Sequence, residues 1–151
     1  MAHTENVVEM SASPERIFTL AVDTPRWPEF LPHYRWVIEL GGSERRRIIE
    51  MAAHRDGIPV KWTSVQEWFP DEYRITFYHI EGITKGMDVV WSIEPQASGA
   101  TRVSIAHEFD LGWPLIGPFA NWVAGEFFVR NIANKTLAHI KQIVESSRGE
   151  I

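Results

Sequence analysis

Between residues 33 and 109 the chain is broken at near-regular intervals by turn-forming residues: Gly41-Gly42, Asp56-Gly57, Pro70-Asp71, Glu81-Gly82 and the stretch from Ala97 to Ala100. Between and around these breaks lie six runs of strand length. Asp-Gly is a strong hairpin signal, and turns at this spacing predict consecutive antiparallel strands in one sheet. Alternation of period two then separates the faces of four of the runs. One face collects Ile58, Val60, Trp62, Ser64, Gln66 and Trp68, then Ile75, Phe77 and His79. It continues through Met87, Val89, Trp91 and Ile93 to Val103, Ile105, His107 and Phe109. The other face carries Lys61, Thr63, Glu67, Arg74, Thr76, Asp88, Ser92, Glu94, Arg102, Ser104 and Glu108. Residues 33–40 and 45–55 are apolar on both parities, so alternation assigns them no inward face.

A sheet with one apolar face must bury it against another layer. The large candidate is a C-terminal helix predicted from about Phe119 to Ser146, after turns at Gly112-Trp113-Pro114 and Gly117-Pro118. Its inward stripe is Phe119, Val123, Phe127, Ala133, Leu137, Ile140 and Val144. At ~1.5 Å per residue such a helix reaches across a whole sheet. Before the meander, residues 4–10 read as a strand, and Ser13-Pro14-Glu15-Arg16 opens a helix with Ile17, Phe18, Leu20 and Ala21 on its apolar face. Asp23-Thr24-Pro25 stops it. Thr24 is expected to cap a short second helix from Trp27 to Leu31, ended by Pro32. This proline-bracketed segment reads as a lid-like joint at the mouth of the sheet. No linker or repeat divides the chain, so residues 1–151 are read as one α+β domain.

Composition narrows the function classes. A net charge of −5, with Arg45-Arg46-Arg47 as the longest basic run, disfavours nucleic acid as a partner. The triplet is expected to be the solvated start of a strand. With no cysteine there is neither a thiol nucleophile nor a thiolate metal site. His107-Glu108 lacks the second histidine of a zinc helix, and no phosphate-binding glycine pattern or Gly-x-Ser-x-Gly elbow occurs, so no metal and no cofactor is expected. No apolar run approaches the ~20 residues of a membrane span, and a cytoplasmic location is the default expectation. Seven Trp and eight Phe are many for a chain this size, and they suit either a filled core or a cavity walled by flat rings.

The order strand, two short helices, six strands, long helix resembles the START-like superfamily and its helix-grip fold. Ala12-Ser13-Pro14-Glu15-Arg16-Ile17-Phe18, then Asp23, then Trp27-Pro28-Glu29-Phe30-Leu31-Pro32 is similar to the opening of its polyketide cyclase/dehydrase-like and coenzyme Q-binding members. The resemblance implies a cavity between curved sheet and long helix that takes lipids, quinones or polyketides. Tyr34, Met87-Asp88-Val89-Val90-Trp91 and Trp62-Thr63-Ser64-Val65-Gln66-Glu67-Trp68 further resemble aromatase/cyclases. Those enzymes end the last motif with an arginine, a proposed catalytic group, where this chain has Trp68.

The candidate site follows from faces and resemblance together. His79 and His107, with imidazoles near ~6.5, suit acid–base work or hydrogen-bonded core positions. Ser64 and Gln66 are placed to orient a ligand carbonyl, and Tyr34 to donate a hydrogen bond. Glu126 and Arg130 stand four apart on the helix and extend its apolar stripe, as an inward ion pair or a surface one; inward, Arg130 would replace the missing cation. Trp62, Trp68, Phe77, Met87, Val89, Trp91, Ile105, Phe109, Val123 and Phe127 are the expected apolar walls. Trp27, Phe30, Trp113 and Trp122 are the expected gate, or the surface of a homodimer. The leading expectation is binding of a hydrophobic, ring-bearing small molecule, with cyclisation or dehydration by proton transfer if the protein is an enzyme. A lipid or quinone carrier and a protein-interaction module are the alternatives.

Overall fold

The computed structural model describes residues 2–55, 58–82, 84–109 and 130–146. Seven antiparallel strands form one curved sheet: β1 (Ala2–Met10), β2 (Tyr34–Ser43), β3 (Arg46–Arg55), β4 (Ile58–Phe69), β5 (Arg74–Gly82), β6 (Asp88–Pro95) and β7 (Thr101–Phe109). The spatial order is β1-β7-β6-β5-β4-β3-β2, so β2 to β7 run as a meander and β1 closes onto the last strand. Helix α1 (Pro14–Val22), a 3-10 turn (Thr24–Arg26) and helix α2 (Trp27–Phe30) connect β1 to β2 across the sheet. The C-terminal helix α3 is described from Arg130 to Ser146; residues 119–129 of the expected helix lie outside the described residues.

Local chemistry explains these elements. Ser13 caps α1, its hydroxyl accepting from the Arg16 amide at 3.3 Å, and Pro14 takes the first helical position. On α3, Ile132, Ala133, Thr136, Leu137, Ile140 and Val144 are buried at helical spacing. Leu137 and Ile140 are fully buried, each contributing ~1.5–3 kcal/mol by leaving water. Polar ties pin the helix along β1. The Asn6 amide donates to Asn134 Oδ1 at 2.6 Å, and Lys141 Nζ donates to the Glu9 carbonyl at 2.9 Å.

The faces of β4 to β7 alternate as the sequence predicts, and register now assigns β3. Arg47, Ile49, Met51 and Ala53 stand opposite Gln66, Ser64, Trp62 and Val60, and so share the inner face. Two expectations are corrected. Gly41-Gly42 is not the turn; β2 runs on to Ser43, bulged between Glu39 and Gly41. The chain reverses at Glu44-Arg45, with Arg45 at φ 58°. Gly42 is needed for close approach, since a Cβ there would stand 2.5 Å from the Arg46 carbonyl oxygen. Thr24 caps nothing: it begins the 3-10 turn, and α2 has no side-chain cap.

Arg47 departs furthest from expectation. Its side chain is only 17% exposed, where a solvated strand start was expected. The guanidinium lies over the Trp68 ring at 4.4 Å, donates to the Val22 carbonyl at 3.1 Å and to Thr24 Oγ1 at 3.3 Å, and pairs with Glu39 at 3.5 Å. It therefore fastens the C-terminal end of α1 to the sheet. Arg47→Ala is expected to cost ~1–3 kcal/mol by urea denaturation, because buried acceptors lose a charged donor. Arg47→Lys should recover less than half of that loss, an ammonium being unable both to stack and to fork. An unchanged midpoint for Arg47→Ala would contradict this role.

Candidate functional site

A cavity of ≈70 Å³ lies between the inner sheet face and α3. Every strand from β2 to β7 contributes to its wall. Of the expected apolar residues, Trp62, Phe77, Met87, Val89, Trp91 and Ile105 line it. So do His79, His107 and Tyr34. The bulge between β4 and β5 helps place His79. Ser64 pairs with His79 and Thr63 with Glu81, leaving Ile80 unopposed one residue beyond the histidine.

Burial decides the protonation of these groups. His79 is pushed down to about 3, first by burial and then by the nearby His107. His107 is pushed down to about 4, by burial and then by His3. Both imidazoles are therefore neutral at physiological pH, which corrects the expectation of groups poised near neutrality. His79 Nδ1 is hydrogen-bonded to the Thr84 hydroxyl at 2.7 Å, leaving Nε2 for the cavity. Trp62 stacks flat on the His79 ring, with centroids 5.5 Å apart and planes 3° from parallel. Among the described residues His107 Nδ1 is buried without a hydrogen-bond partner. Burial raises the Tyr34 phenol, keeping it a hydroxyl, while Thr136 faces it across the cavity wall and opposes that shift.

Behind Tyr34 lies a polar cluster that periodicity did not single out. Thr136 Oγ1 donates to the Ile132 carbonyl at 2.8 Å, so the His33 Nε2 contact at 2.8 Å must run from imidazole to hydroxyl. His33 Nδ1 is then a buried acceptor with no partner among the described residues. Its pKa falls to about 4, through burial first and then through His139, Lys135 and His54.

Several expected site residues stand elsewhere. Ser64 and Gln66 are fully buried and do not line the cavity, Gln66 lying beneath the α1 end. Both ends of Gln66 are engaged within the protein: Oε1 accepts from Thr24 at 2.6 Å and Nε2 donates to the Val22 carbonyl at 2.9 Å. Trp68 lies beneath Arg47, and neither lines the cavity; nor does the buried Phe109. Phe30 lines a separate surface groove with residues of α1 and α3. Trp27 is no gate. It is 2% exposed and packs against Tyr34, Trp91 and Phe77 at 5.0, 5.8 and 6.3 Å, filling the cavity's α2 side. Arg130 begins the described part of α3, half-buried and outside the cavity wall. Trp113, Trp122, Val123, Glu126 and Phe127 lie outside the described residues.

Wall residues missing from the sequence reading of the site are Met51, Val60, Thr84, Ile132, Ala133 and Thr136. Val60 and Ala133 did stand on the expected inner faces. Thr136, one residue before Leu137 on the α3 stripe, carried a usable signal. Thr84 sits in a turn, where alternation carries none. Among the described residues no three His, Asp or Glu group in a way that could hold a metal ion. No described helix is long and apolar enough to cross a membrane.

The sheet, crossing helices and C-terminal helix form a START-like helix-grip fold. A START superfamily protein from Mycobacterium smegmatis superposes with a TM-score of 0.74 at 17% identity, covering 95% of this chain and 97% of that one. The Zhui aromatase/cyclase of a Streptomyces species superposes with a TM-score of 0.84 at 18% identity, covering 97% and 94%. Residues 10–136 match the family described as polyketide cyclase / dehydrase and lipid transport, and the chain belongs to that family. Over 111 residues it is 30% identical to a granaticin polyketide synthase bifunctional cyclase/dehydratase of Streptomyces violaceoruber. That stretch is 70% of this chain and 33% of the relative, so the match spans about a third of the relative's length.

Proposed function

We propose that the chain binds a small ring-bearing hydrophobic molecule in this cavity and moves protons on it. The observation that carries the reading is a pair of imidazoles, both neutral, inside an apolar wall. A neutral Nε2 accepts a proton from a carbon flanked by carbonyls and returns it to a departing hydroxyl. A base this weak gains strength once the enolate forms beside it, because imidazolium and enolate stabilise each other where water is scarce. Tyr34 supplies a hydroxyl donor to the ring oxygen. The family and the cyclase/dehydratase relative support this chemistry class. Trp68, standing where the aromatase/cyclase motif has arginine, favours a second reading: binding and carriage without turnover.

Native mass spectrometry of gently purified protein, followed by solvent extraction, tests the binding. The expected result is a bound apolar small molecule, lost on denaturation. Incubation with a poly-β-keto thioester separates the two readings. Catalysis predicts a cyclised or dehydrated product that falls at least ~10-fold in His79→Gln or His107→Gln; carriage predicts none. Protein that takes up no apolar aromatic compound would overturn both.

A further inference from the structure

Resting on the binding role proposed above, we infer that the cavity selects one neutral ring carrying hydroxyl or keto oxygens on opposite edges, and excludes fused-ring and anionic ligands. Size is the first ground. The space of ≈70 Å³ is about half of the ~150 Å³ that holds benzene in an engineered cavity, and far below the ~300–1,000 Å³ of drug-sized pockets. A single ring needs modest expansion, and two wall residues supply it. Met51 and Met87 are unbranched and adaptable, whereas Trp27, Trp62 and Trp91 are wedged against other rings.

Placement of polar groups is the second ground. His107 on β7 and His79 on β5 lie diagonally across Val89 of the intervening β6 and Met87 just before it. Thr84 joins them from the β5–β6 turn. Tyr34 enters from β2 at the far edge of the sheet, and Thr136 from α3. Between these two polar ends, by strand order, stand Trp62 and Val60 of β4 and Met51 of β3. A ligand must therefore be apolar in its middle and polar at both ends. Charge is the third ground: among the described residues lining the cavity there is no Asp, Glu, Lys or Arg, and the imidazoles are neutral. A carboxylate entering such a wall loses its hydration without gaining a counterion.

Isothermal titration with four probes tests this: hydroquinone under argon, its near-isostere p-xylene, 2,6-dihydroxynaphthalene and benzoate. Hydroquinone is expected to bind at least ~10-fold more tightly than each of the others, its two hydroxyls being paired at both ends. Tyr34→Phe and His79→Phe should each erase its advantage over p-xylene, while retained p-xylene binding reports an intact cavity. If the naphthalenediol or benzoate binds as well as hydroquinone, this selection is wrong, though the cavity still binds ligands. If none of the four binds and larger apolar rings do, the inference again fails alone. Failure of aromatic probes of every size removes the binding role itself.

Discussion

Acidification from pH 7.5 to 5 is expected to lower the stability of this fold by about 4 kcal/mol through His79 and His107 alone, roughly 2 for each. The sign follows from where protons bind first. In the unfolded chain a histidine titrates near ~6.5. In the folded chain His79 waits until about 3 and His107 until about 4, because each would be charged inside an apolar wall. Stability is thus full above ~6.5 and is lost as pH falls through the window down to those folded values. His33, held down to about 4 beneath α3, acts in the same direction. At pH 5 most carboxylates are still ionised, so the loss reports imidazoles. Urea denaturation at a series of pH values measures it, and a His79→Gln, His107→Gln double variant should flatten the slope. Equal stability at pH 7.5 and pH 5 in the parent protein would show that these rings are not buried neutral.

Trp27→Ala is expected to cost ~3–5 kcal/mol, near the top of the range for core truncations. The indole is fully packed among Tyr34, Trp91 and Phe77, and α2 is one turn long, too short to settle into the space left behind. The void would join the existing cavity. The same variant should therefore gain affinity for two-ring aromatics such as 2,6-dihydroxynaphthalene, provided it is assayed well below its lowered melting point. Denaturation midpoint and titration together check this. A loss under ~1 kcal/mol would mean the indole is a surface cover, as the proline-bracketed segment first suggested.

That segment shows where the sequence was legible and where it was not. Alternation identified the inner faces of β4 to β7, because burial on one face leaves a period-two trace that local sequence carries. It could not say how much room remained between the faces. That depends on how far Trp27 reaches in from a different element, which is a matter of packed volume and not of pattern. Gln66 shares the inner face with Trp62, yet the end of α1 and its anchor Arg47 cover it, so the same face is core at one end and cavity at the other. Arg47 was misread for a related reason: a basic triplet looks solvated until a neighbouring strand offers a ring and carbonyls to one member. His33 and Thr136 stand far apart in the chain and meet only when α3 lies down on the sheet.

The most direct test is nitrogen-15 NMR of the imidazole side chains across pH 5.5 to 7.5, without and with hydroquinone. The account predicts that His79 and His107 give signals of a single neutral tautomer throughout, and that both shift saturably as the ring enters. Imidazoles that titrate near 6.5 and stay unmoved by any aromatic ligand would contradict it.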